Sequence, residues 1–233
     1  MKRYIIAIEG SKEVDMNNNS GIVFNLAEDN KELPGCTISE LLSDADGFYI
    51  SVFLLGAGTD ISPEMYGYPK IWYVLRGNME IVIPEADDME MSEGNAIVTP
   101  TGTPVGCRAE NGAVYLEITL KEDTDMNSIL KTSEVFTLKD LVPYQEGKIV
   151  NMDLINDSGM KFVVMSFTKG CALPEHAAPG EALIFALDGE GTIGYEGKEY
   201  HIKAGENFKF DKGGAHYVKA DGNFKMALLL TLV

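Results

Sequence analysis

The chain has 233 residues, enough for one large domain or two small ones, and either can bury a real core. Its 19 Lys and Arg against 36 Asp and Glu give a formal charge of -17. Such a surface repels phosphate backbones and anionic membranes, and no basic run offsets it, so neither nucleic acid nor membrane is expected as a partner.

Three widely spaced cysteines, Cys36, Cys107 and Cys171, make no disulfide framework and fit a reducing compartment. The apolar run in MKRYIIAIEG is too short for a signal segment, and no later stretch reaches spanning length, so a cytoplasmic protein is expected. The 24 Gly and 9 Pro favour a turn-rich, all-β chain over a helical one.

In chain order, apolar stretches at residues 4–8 and 21–26 read as strands without a downstream counterpart. They would close the first unit or cross to the second. Residues 38–42, within the segment TISELL, could form one helical turn and little more. Strands are then predicted at 49–55, 70–75, 79–84, 96–99 and 113–120, with the acidic run 87–93 as a solvated loop. Residues 121–132, rich in Asp, Lys and Met, form the natural linker. A second possible helical turn lies at 138–142, within the segment TLKDLV. Strands follow at 161–168, 182–187, 192–195, 200–203, 207–210, 216–220 and 225–233, preceded by a short polar strand that carries His176.

The two halves repeat. Gly58 and Gly170 are 112 residues apart (170 − 58), and the same shift carries Leu75-Arg76-Gly77 onto Leu187-Asp188-Gly189 and Phe48-Tyr49-Ile50 onto Met160-Lys161-Phe162. With one residue removed, Gly94 matches Gly205 and Gly102 matches Gly213. The lead-ins TISELL and TLKDLV stand 100 apart (137 − 37), with connecting loops of different length. Turns, strands and lead-in recurring in one order indicate a duplicated domain. The division expected is 1–120, a linker at 121–134, and 135–233.

The stretch 170–191, GCALPEHAAPGEALIFALDGEG, resembles the first motif of the cupin superfamily. That motif runs from a glycine through five residues to His-x-His, then Glu, then a glycine turn. Gly205, Gly213 and His216 resemble the second motif, with Asp211 where a proline usually stands. The resemblance implies two tandem cupin (jelly-roll) β-barrels, a bicupin, and is specific for fold rather than for reaction.

The usual cupin metal site, three histidines and a glutamate, suits a mid-row divalent ion. Carried over by position, His176 and His216 keep two ligands, while Ala178 and Ala182 replace the others. Glu181 would point the other way from Ala182 along a strand. In the first copy the four positions become Glu64, Tyr66, Lys70 and Val105. A lysine there repels a metal. An exposed loop with a solvated Lys70 is the leading expectation; the alternative is an ion-paired cluster over Trp72 that could receive an anion.

Two readings of the histidine pair stay open. The rings line a pocket without further role, or they bind a ligand or, weakly, a divalent metal (Mn, Fe, Ni or Zn). Strand parity puts Ala178, Ala182 and Ile184 on the side of His176, with Phe208 and Phe210 as walls, so a ligand pocket is expected around these residues and His216. The third histidine, His201, is expected on the surface. The expected function is a small-molecule-binding bicupin for a sugar or sugar acid, working as a monomer or homodimer. A metal-dependent sugar isomerase using the same two histidines is the alternative.

Overall fold

The computed structural model describes residues 20–45 and 47–232; the strand expected at 4–8 lies outside them. The N-terminal half contains β1 (Val23–Phe24), a one-turn helix α1 (Leu26–Asp29), β2 (Thr37–Ala45), β3 (Phe48–Leu55) and β4 (Thr59–Met65). There follow β5 (Lys70–Val82), β6 (Met89–Ser92), β7 (Asn95–Val98), β8 (Pro104–Ala109) and β9 (Ala113–Thr119). The C-terminal half contains β10 (Val135–Thr137), a 3-10 turn (Leu138–Asp140), β11 (Ile149–Asn156), β12 (Met160–Phe167) and β13 (Ala172–Ala177). It ends with β14 (Glu181–Tyr195), β15 (Lys198–Lys203), β16 (Asn207–Phe210) and β17 (Ala215–Thr231).

The long strands close the barrels. β14 pairs with β16 through Ala182–Phe185 and with β15 through Glu190–Tyr195, and β17 runs beside it along both parts. Two bulges in the β14–β17 ladder, at Ala186/Asp188 and Gly189/Gly191, bend the pair from one sheet into the other. Gly189 has φ 69°, and a Cβ there would collide with the Asn223 carbonyl oxygen. Its repeat partner Gly77, at φ 79°, would likewise strike Gly112 O, so both copies turn the same corner on a residue without a side chain.

Alternation divides the side chains into three cores. Trp72, Val74, Ile97 and Tyr115 fill the N-terminal barrel. Ala182, Ile184, Phe208 and Phe210 fill the C-terminal one. The intervening residues, among them Ile71, Tyr73, Leu183 and Phe185, form a third core in which the outer faces of the two barrels meet. Tyr73 and Phe185 are repeat-equivalent (185 − 73 = 112) and touch edge to face at 6.0 Å. The barrels are therefore related by an approximate two-fold axis inside one chain.

The lead-ins cross that axis. β1 pairs with β16 of the C-terminal barrel, and β10 pairs with β7 of the N-terminal barrel. Hydrogen bonding thus runs across the 121–134 division in both directions. Asn207 secures one crossing: its Oδ1 accepts from Leu26 N at 2.9 Å and its Nδ2 donates to Ile184 O at 3.2 Å.

Two local expectations are corrected. Residues 38–42 belong to strand β2, because pairing with β3 outweighs the weak helical pattern. The single helical turn expected at 138–142 is present as a 3-10 turn, Leu138–Asp140. Within the acidic run, Met89–Ser92 is strand β6, since buried Met91 anchors it to the barrel core.

The TISELL and TLKDLV segments are not structural equivalents. The true lead-in match is Val23-Phe24-Asn25-Leu26 with Val135-Phe136-Thr137-Leu138, at the common shift of 112 (135 − 23). Among the described residues, no helix is long and apolar enough to cross a membrane.

Candidate functional site

His176 on β13 and His216 on β17 are directly opposite in the ladder, so both rings lie on one face. Their centroids are 4.2 Å apart. The Nδ1 of His176 lies 2.9 Å from Pro174 O, and that of His216 lies 3.0 Å from Gly214 O. A carbonyl only accepts, so each Nδ1 carries the proton and each Nε2 keeps its lone pair. One ring is exposed and the other buried; His216 also stacks on Phe210 at 4.0 Å.

Ala178 and Ala182 are buried in the same core as Ile184. Rings occupy the space beside them. Phe208 and Phe210 stand 5.2 Å apart, and Tyr195 packs on both, at 5.7 and 5.4 Å. The interior below the pair is thus an aromatic stack, with His216 as its polar end. Glu181 points outward, 3.3 Å from the buried Lys209 ammonium. Among the described residues no group of three or more His, Cys, Asp or Glu is placed to hold a metal. Two imidazoles fall short of the three or four protein ligands that keep a resident ion. His201 is exposed, its Nε2 3.3 Å from Glu190.

Burial pushes the His216 imidazole below its ordinary value of 6.5, and neighbouring His176 adds to the effect while the Gly214 carbonyl opposes it. A lowered folded pKa means that the unfolded chain takes up the proton first. The stability from the neutral ring is complete above 6.5 and is lost as pH falls through the lower folded value. His216→Phe should keep the Phe210 stack and lose this part of the acid sensitivity. Melting temperatures of both proteins, measured above and below pH 6.5, check it.

In the N-terminal barrel the four matching positions hold no metal set. Lys70 is buried, not solvated as the leading expectation had it. Its Nζ is 3.0 Å from Glu117 Oε1 and 3.7 Å from the centre of the Tyr66 ring. Glu117 Oε2 accepts from Trp72 Nε1 at 2.8 Å, and Tyr66 donates to Glu64 at 2.8 Å. The alternative, a cluster of Glu64, Tyr66 and Lys70 over Trp72, is met in part: Lys70 faces inward beside Tyr66, but its ion partner is Glu117 rather than Glu64. Glu117 was missed. Its signal was a lone carboxylate inside the apolar strand AVYLEIT, a residue type rarely buried without a partner.

Residues 163–232 match the cupin domain model. A cupin 2 conserved barrel domain protein from Leptotrichia buccalis is 30% identical, covers 91% of this chain and 97% of its own, and superposes with a TM-score of 0.80. The chain is a cupin. Salicylate 1,2-dioxygenase from Pseudaminobacter salicylatoxidans shares the fold at 11% identity, covering 80% of this cupin and 71% of its own chain, with a TM-score of 0.58. No curated protein matches this cupin in sequence. Both barrels of the cupin keep the jelly-roll frame, and each has a different remnant at its mouth: paired imidazoles in one, a buried ion pair in the other.

Proposed function

We propose that this bicupin binds a small polar metabolite, a sugar or sugar acid, at the mouth of its C-terminal barrel. The observation that carries the reading is the facing histidine pair, with rings 4.2 Å apart and each Nδ1 engaged by a backbone carbonyl, so that Nε2 is the nitrogen each ring can offer a ligand. Two fixed acceptors side by side suit a ligand with neighbouring hydroxyls. Ala178, Ala182, Ile184, Phe208 and Phe210 pack beneath the pair and hold His216 in place through its stack on Phe210, so a ligand would meet the exposed His176 side of the pair.

The double variant His176→Ala/His216→Ala should lose the ligand-induced rise in melting temperature in a screen of sugars and sugar acids. A rise of the same size in the variant would overturn the proposal.

The 4.2 Å spacing of the two imidazole rings favours one second reading, a metal-assisted sugar isomerase. The histidines would hold the ion, and water or substrate oxygens would complete its shell. Metal analysis of the purified chain separates the two readings. Near-stoichiometric Mn, Fe, Ni or Zn, absent from the double variant, favours the enzyme.

A further inference from the structure

The approximate two-fold relation extends beyond the barrels into the segments that precede each lead-in. Ahead of β10, Thr132 makes a parallel bridge with Val98, and Ser133, at φ 61°, donates its N–H to Val98 O at 2.9 Å. Ahead of β1, Ser20 makes a parallel bridge with Lys209, and Gly21, at φ 73°, donates its N–H to Lys209 O at 3.1 Å. The shift from Ser20 to Thr132 is again 112 (132 − 20).

Upstream of Thr132, the linker is fastened to the edge strand β11. Met126 forms an antiparallel bridge with Ile155. Asn127 donates from its backbone N to Leu154 O and from Nδ2 to Asp153 O, both at 2.9 Å. Met126 packs against the core between the barrels, and Leu130 is buried in it. Such a cover occupies edge groups that would otherwise invite another strand.

The same relation carries this place to the other edge strand, β2, where Leu154 and Ile155 become Leu42 and Ser43 (154 − 112, 155 − 112). A crevice between the barrels opens there. It holds about 320 Å³, counting the part open to solvent, and Leu42, Ser43, Ile50, Leu183, Lys209 and Leu229 line it. That is the bottom of the range for ligand pockets, so one or two side chains suit it better than a metabolite.

The sequence supplies the side chains. Asp125-Met126-Asn127 recurs as Asp15-Met16-Asn17, 110 residues earlier (126 − 16), just ahead of the described residues. Four residues, 128–131, separate the triplet from its bridge residue in the linker; here only Asn18 and Asn19 do. The four include a tight turn, Leu130 N to Asn127 O at 3.0 Å, so two extended residues serve the same span. The shorter form has no counterpart of Leu130, and Ser43 is smaller than Ile155, which accounts for the space.

We propose that this crevice is the seat of Asp15-Met16-Asn17, which fastens the N-terminal lead-in to β2 as the linker is fastened to β11. Met16 would fill the apolar part, and Asn17 would donate to the carbonyls of Leu41 and Leu42.

The unmodified chain is treated with hydrogen peroxide and its methionines are followed by peptide mass spectrometry, since exposed thioethers oxidise first. Met65 is 65% exposed and marks the open rate. Met16 should oxidise several-fold more slowly, near the rate of half-buried Met126. The seat itself is read with Met16→Cys/Ser43→Cys, the exposed Cys36 being replaced by Ser. Residues paired across antiparallel strands stand within disulfide reach, so mild oxidation should join the two thiols within one chain. Met16→Cys/Glu90→Cys, with its second thiol on β6, should stay open. Met16 oxidising as fast as Met65 would overturn the proposal. So would no bond to position 43, a bond formed equally at position 90, or a bond formed only between chains, which would give the crevice to a second copy.

Discussion

Lys70→Met will destabilise the chain by about 3–5 kcal/mol, the usual cost of leaving one member of a buried ion pair without its partner. Lys70 and Glu117 have side chains only 8% and 11% exposed, so water cannot replace the lost ammonium. The double variant Lys70→Met/Glu117→Gln should recover most of that loss. The amide carries no charge to bury, and its oxygen can still accept from Trp72 Nε1. Urea unfolding of the two variants beside the parent measures both numbers. A single variant as stable as the parent would mean that the pair contributes nothing. A double variant no better than the single would mean that its value is not electrostatic.

The second large effect lies in the crossed lead-ins. Leu26 is fully buried in the core between the barrels, and its N–H is held by Asn207 of the C-terminal barrel. Leu26→Ala should cost about 2–5 kcal/mol. The more informative outcome is where that loss shows. Trp72 reports the N-terminal barrel, whereas Leu26 is tied to the C-terminal one. Because the facing sheets share one core and exchange strands, Trp72 emission should report the same lowered midpoint as circular dichroism of the whole chain. A Trp72 transition left at the parent midpoint, while the rest of the chain melts early, would show that the barrels unfold separately. Leu138→Ala, at the repeat-equivalent position and equally buried, should behave alike.

Much of the architecture was legible because a β-strand writes itself into sequence with a period of two. Ile184 and Phe208 could be assigned to a barrel interior from parity alone, and they lie there. The 112-residue shift held because paired glycines such as Gly77 and Gly189 occupy left-handed turns that other residues resist. Misreadings fell where local pattern is weak. Strand β2 took the form that its neighbour β3 imposes, against a short helical pattern. TISELL and TLKDLV are alike in residue type, but the segments that match in structure are Val23-Phe24-Asn25-Leu26 and Val135-Phe136-Thr137-Leu138, at the common shift.

The sites show the same division. That His176 and His216 share a face, and that Ala178 and Ala182 offer no metal donor, followed from spacing and residue type. That Lys70 is buried did not follow, because its partner Glu117 is 47 residues away, with strands β6, β7 and β8 between them along the chain. Sequence alone determined the all-β class, many of the strands though not β2, β4, β6, β8 or β11, the duplication and the loss of two metal-ligand positions, each a property of residues near one another or related by a fixed shift. Only the tertiary structure decided which barrel each lead-in completes and which carboxylate neutralises Lys70. Both depend on contacts across the barrels, where burial strengthens a pairing that the linear chain does not record.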